Sequence, residues 1–124
     1  MWKWTLSLKG DDMYFEKPGR DNTEKTIELA YERAKELGID EVVAASSRGY
    51  TAHKVLDVFK EFNVVIVTYH CGFKEPFQSV MPASVRMDLE KRGAAVISAT
   101  HALSGVERSL FNKYSGAYPV LIIA

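Results

Sequence analysis

Val64-Val65-Ile66-Val67-Thr68-Tyr69 is the stretch that decides the fold. It is apolar and β-branched without alternation, the pattern of a strand covered on both faces, as in a parallel sheet. Upstream, Thr51 to Phe62 places Ala52, Val55, Leu56, Phe59 and Phe62 at helical spacing. Before that, Ser46 to Tyr50 is a turn and Glu41-Val42-Val43-Ala44-Ala45 a buried strand. Further back, Ile27, Ala30, Tyr31, Ala34 and Leu37 form one apolar stripe of a helix. Asp21 or Asn22 can cap that helix, and Gly38 ends it. Its row Glu24, Glu28, Glu32 and Glu36 reads as a solvated face. Met13-Tyr14-Phe15 is a short strand candidate ahead of it, stopped by Pro18.

Downstream, His70 to Met81 is a long loop, and Pro82 can open a helix that runs to Gly93. Ala94 to Ala99 is a fourth strand, Thr100 to Gly105 a loop and Val106 to Lys113 a short helix. Tyr114 to Pro119 is a turn, and Val120 to Ala124 is apolar to the last residue. Strand and helix alternate throughout, which calls for an α/β domain with a parallel sheet and right-handed crossovers.

Composition narrows the function classes. The chain has 124 residues, 47% of them hydrophobic and 26% charged, as in an ordinary soluble domain. Lys plus Arg and Asp plus Glu both number 16, so the net charge is zero and no basic footprint for nucleic acid is expected. No apolar run approaches the roughly 18 residues of a membrane span. Cys71 is the single cysteine, and no long apolar leader follows Met1, so the reducing cytoplasm is the expected compartment. Residues 1–12 are unlike the rest and read as an N-terminal extension to a domain spanning 13–124.

Ligands of open α/β sheets bind outside the carboxyl ends of the strands. The four loops expected there carry Lys17, Arg20, Arg48, Lys74, Ser46, Ser47, Ser104 and two of the three histidines. A neutral chain that collects bases and glycines there points to a small anionic ligand. Ser46-Ser47-Arg48-Gly49-Tyr50-Thr51 joins a strand to a helix N-terminus, where unpaired N–H groups and the helix dipole favour a phosphate. A plain serine-capped turn fits these residues equally well.

His70 takes a site-facing position, and His101 a comparable one. The two bring no acidic cluster with them, so no metal centre is expected. Cys71 invites a nucleophile reading, yet neighbours on extended chain point oppositely, which favours a small packed thiol. His53 reads as an ordinary helix residue. Tyr50, Phe73 and Phe77 could stack on a planar ring or simply anchor their loops. Ser104-Gly105-Val106-Glu107-Arg108 is a second small-residue turn before a helix, and Arg108 can clamp an anion.

Four ordered blocks carry a resemblance. They are Phe15-Glu16-Lys17-Pro18-Gly19-Arg20-Asp21-Asn22-Thr23, Ala45-Ser46-Ser47-Arg48-Gly49-Tyr50-Thr51-Ala52, Val67-Thr68-Tyr69-His70-Cys71-Gly72-Phe73 and His101-Ala102-Leu103-Ser104-Gly105-Val106-Glu107-Arg108. Over about residues 13–124 the chain resembles small stand-alone proteins similar to the pyruvate kinase C-terminal α/β domain. The resemblance implies a three-layer α/β/α sandwich with a mainly parallel sheet. It implies no pyruvate kinase activity, since the catalytic barrel is absent. In pyruvate kinase the related domain is regulatory and holds a phosphorylated effector. The stand-alone family is linked to flavin mononucleotide (FMN).

Carried over, Ser46, Ser47, Gly49 and Thr51 would hold the phosphate. Thr68, His70, Gly72, Ser104, Gly105 and Arg108 would surround the rest of the ligand. Family members continue past the position of Ala124 with a further helix and strands, so the resemblance implies a sheet edge that a second copy could cover. The expectation is a phosphorylated small molecule, FMN, as ligand. The alternatives are a regulatory module for a phosphorylated metabolite and a small hydrolase using His70 or Cys71.

Overall fold

The computed structural model describes residues 14–100 and 103–116. The expected extension over 1–12, Met13, His101 and the apolar end Val120–Ala124 lie outside them. A 3-10 turn, Arg20–Asn22, leads into α1, Thr23–Leu37. There follow β1 (Glu41–Ala45), α2 (Tyr50–Val58), β2 (Asn63–Thr68), α3 (Ala83–Lys91), β3 (Ala95–Ser98) and α4 (Ser104–Tyr114). The three strands form a parallel sheet in the order β1-β2-β3, with Val42 beside Val64 and Ile66 beside Val96. The α/β architecture with helices packed on a parallel sheet is as expected. No helix among the described residues is long and apolar enough to cross a membrane.

Tyr14 and Phe15 are not in a strand, contrary to the short strand expected over Met13-Tyr14-Phe15. Pro18 follows closely and both rings are exposed, so among the described residues the segment has neither a partner strand nor an apolar face to bury. Asn22 does precede α1, but its side chain does not cap it. Its amide instead donates to the Lys17 carbonyl at 2.6 Å. Gly38 closes α1 in the left-handed conformation at φ 65°. The predicted apolar stripe of α1 is narrower in the structure. Ile27 and Ala34 are buried, whereas Leu37 is exposed. The reason is that α1 packs chiefly on α2. Tyr31 meets Phe59 and Phe62 at ring separations of 5.4 and 5.7 Å, tying α1 to the chain leaving α2. That chain turns at Phe59, three residues before the sequence pattern runs out, so that Phe59 and Phe62 enter the core.

The core lies on one face of the sheet. Val64, Ile66 and Val96 are buried against Ala52, Val55 and Leu56 of α2 and Leu89 of α3, with Val42 and Ala44 beside them. The alternate residues point to the other face, where Val43 is 68% exposed and Ile97 46%. β2 was expected to be covered on both faces, yet its Val67 is 37% exposed. Among the described residues the cover lies on one side only.

Candidate functional site

The turn after β1 is built by its own side chains. The Ser46 N–H donates to the Val67 carbonyl at 2.9 Å, extending the ladder one residue past β1. The Ser46 hydroxyl is buried and accepts from the Gly49 N–H at 3.2 Å and the Ala52 N–H at 3.3 Å. It therefore satisfies one of the orphan amides that open α2. Thr68, also buried, donates its hydroxyl to the Ser47 carbonyl at 3.1 Å, latching the turn to the end of β2.

Gly49 has φ 102°, and a β-carbon there would collide with Val85 of α3. The glycine is required by that packing as well as by its backbone angle. Helix geometry leaves the N–H groups of Tyr50 and Thr51 without an intrahelical acceptor.

A cleft of about 480 Å³ opens over the carboxyl ends of the three strands, where ligands of such sheets bind. Ala45 to Ser47 come from the end of β1, Val67 to His70 from that of β2, and Ala99 from just past β3. Phe73 and Arg108 complete it. Tyr69 stacks on Phe73 with ring centroids 4.1 Å apart and planes 15° apart. His70 meets the same ring edge-on at 5.5 Å, and the Arg108 guanidinium lies 4.8 Å from its centre. Ser98 fixes the strand end by donating to the Tyr69 carbonyl at 2.6 Å. The result is an open cleft with an aromatic wall, a guanidinium, an imidazole and hydroxyls.

Of the residues the sequence pointed to, Ser46, Ser47, Thr68, His70 and Arg108 line this cleft. Gly49, Thr51, Gly72 and Gly105 do not line it. Thr51 is the second residue of α2, and Gly105 sits in the first turn of α4. Gly72, at φ 81°, donates its N–H to the Gln78 carbonyl and closes the loop over residues 72–78. Ser104 begins α4.

Of the three aromatics singled out from the sequence, Tyr50, Phe73 and Phe77, only Phe73 lines the cleft. Tyr50 lies elsewhere, beneath Arg20 at 4.2 Å and Lys54 at 5.3 Å, and Phe77 is 96% exposed. Cys71 is exposed and not a packed thiol. His53 bridges α2 to α3, with its Nδ1 3.1 Å from Arg92 and 3.6 Å from Asp88. Tyr69 and Ala99 were not foreseen. Both directly follow residues at strand ends, and that position was the only available signal.

A groove between α1 and α2, about 590 Å³, is lined by Asp21, Glu24, Glu28 and Asp57 with Lys25 and Lys54. Both lysines are paired, Lys25 with Glu28 and Lys54 with Glu24. The hydrogen bond to Lys54 lowers the Glu24 carboxyl from its usual range, and the same bond raises Lys54. The groove is acidic and its bases are engaged, so it is the wrong chemistry for an anion. The strand-end cleft is the better candidate despite its smaller volume.

Residues 24–124 of the chain match the family described as "Pyruvate kinase, alpha/beta domain". The match takes in α1 from its second residue, all three strands and every residue that lines the strand-end cleft.

Proposed function

The chain belongs to the pyruvate kinase α/β-domain family, and from that premise we propose that it binds a phosphorylated planar ligand, FMN, over the strand ends. One observation carries this reading: the stacked Tyr69–Phe73 pair with the Arg108 guanidinium against it, set in a cleft next to the first turn of α2. The donor set fits the ligand. An aromatic wall suits a flat ring, and about 480 Å³ lies within the range of roughly 300–1,000 Å³ for small-molecule clefts.

Phosphate recognition falls to the Ser47 hydroxyl and the open amides of Tyr50 and Thr51, helped by the α2 dipole. Ser46 and Thr68 act behind them by holding the turn in shape. Arg108 and His70 offer donors between the two ends of the cleft. A bound flavin supplies hydride or electron transfer, and the protein supplies its position. The free, exposed Cys71 accords with a reducing compartment, the cytoplasm.

The second reading is a regulatory site for a phosphorylated metabolite without a flat ring. The tied turn at the α2 N-terminus favours it, since that feature reads a phosphate whatever carries it. The deciding experiment is the absorption spectrum of the purified protein, with mass spectrometry of any released small molecule and titration with FMN. Released FMN, or a saturable flavin signal on titration, supports the first reading. A colourless protein that ignores FMN but is stabilised by phosphorylated metabolites supports the second.

A further inference from the structure

We infer that a second anion subsite, built by Arg48 and Lys74, adjoins the strand-end cleft and takes a pyrophosphate group. A separate pocket of about 200 Å³ is lined by Arg48, Lys74, Glu75, Gln78, Ser79 and Val80. It falls below the roughly 300–1,000 Å³ of drug-sized ligand pockets and suits a compact anion. Its lining continues that of the main cleft along the chain at two places. Ser47 lines the cleft and its neighbour Arg48 the pocket, and Phe73 and Lys74 are divided in the same way.

The two cations are uncommitted. The described ion pairs use Lys25, Arg33, Lys35, His53, Lys54, Arg86 and Arg92, and neither Arg48 nor Lys74 contacts an aromatic ring. Against them stands one carboxylate, Glu75, so the pocket is net positive. Gln78 and Ser79 add neutral donors.

The loop that presents these groups is also held in an unusual shape. Gly72 donates to the Gln78 carbonyl at 2.9 Å and Gln78 to the Glu75 carbonyl at 3.1 Å. Phe77 between them sits at φ 62° with its ring in solvent, a strained position that its own packing does not repay. Two uncommitted cations lining one small pocket, beside a cleft suited to a phosphorylated ring, point to a diphosphate.

The inference rests on the proposed ligand only for what fills the neighbouring cleft. Inorganic pyrophosphate is the direct probe, titrated calorimetrically at low salt into the wild-type chain and an Arg48→Gln/Lys74→Gln variant. Both side chains are exposed, so the variant keeps the fold. Binding to the wild type, weakened about tenfold or more in the variant, is the expected result. No binding, or equal binding to both proteins, overturns the subsite.

Parallel titrations with FMN and with flavin adenine dinucleotide locate the source of the group. A preference for the dinucleotide that vanishes in the variant assigns the diphosphate to the ligand of the main cleft. Pyrophosphate binding without that preference assigns a free anion to the same subsite. If FMN fails to bind while pyrophosphate binds and depends on Arg48 and Lys74, the flavin reading falls and the subsite stands. The opposite pattern removes the subsite and leaves the flavin reading intact.

Discussion

The turns that open α2 and α4 look alike in sequence, each a serine and a glycine ahead of a helix, and they are built on different principles. Around α2, Ser46 holds two backbone amides, Thr68 latches Ser47, and Gly49 fits against Val85. Around α4, Leu103 precedes the helix at φ 64° with no side-chain cap. Val106, Leu110, Phe111 and Tyr114 of α4 are exposed, although Glu107 is buried. Arg108 reaches across to Phe73. The first turn is a rigid floor, and its small residues are largely spent on building it. The second carries a functional group on a lightly held helix. A small-residue turn therefore says where a ligand can approach, but it does not say which of its side chains remain to meet that ligand.

The largest test of that contrast is Gly49→Ala. It combines a forbidden left-handed alanine with a clash against Val85, so destabilisation of about 3–4 kcal/mol is expected. Denaturant unfolding measures it. Adding Val85→Ala should recover the steric part and leave the backbone part, whereas full recovery would refute the role of φ. By contrast, Gly105→Ala lies inside α4 with open space around it and should be neutral or slightly stabilising.

Ser46→Ala comes next, at about 1–2 kcal/mol, because two buried amides lose their acceptor. Thr68→Val keeps the shape and removes only the latch to Ser47, for about 1 kcal/mol. If either variant leaves the unfolding midpoint unchanged, the turn is not the self-built floor described above. Arg108→Ala should behave the other way round. Its stacking on Phe73 contributes roughly 0.5–1 kcal/mol to stability at an exposed site, while FMN affinity should fall about tenfold. A variant that loses stability and keeps its affinity would make Arg108 a strut and not a ligand contact.

The three strands and four α-helices of the described residues were legible in the sequence because their apolar periods are strong. Glu41–Ala45 was read to the residue, and Gly38 marked the end of α1 by its left-handed conformation. The family, too, was readable from the four blocks. Three features were hidden, each decided by tertiary contacts. The turn at Phe59 depends on where Tyr31 sits, which no local pattern encodes. Burial of one sheet face and exposure of the other cannot be read from Val64–Tyr69, because β-branched residues suit both. In the site, the hydroxyls of Ser46 and Thr68 were expected to meet a ligand, and in the structure they hydrogen-bond within the turn. A hydroxyl that faces a ligand and one that holds a turn look the same in sequence.

The smallest expected effect concerns the pair that braces α1 against α2 beside the rigid turn. Glu24 accepts from Lys54, which also lies near the ring of Tyr50, the first residue of α2. The bond lowers the folded-state pKa of Glu24 below its ordinary value of 4.5. Its contribution to stability is therefore present above 4.5 and fades as the pH falls through the lowered value. Lys54 is raised above 10.5, so its contribution is complete below 10.5 and is lost as the pH rises through the raised value. Both groups are solvent-exposed, and water and salt screen them. A double-mutant cycle of Glu24→Gln and Lys54→Met should show a small favourable coupling at neutral pH and low salt. That coupling should vanish in high salt, and also below the titration of Glu24. A coupling that survived both conditions would mean that the pair is part of the floor itself, and that the rigidity of the first turn reaches as far as α1.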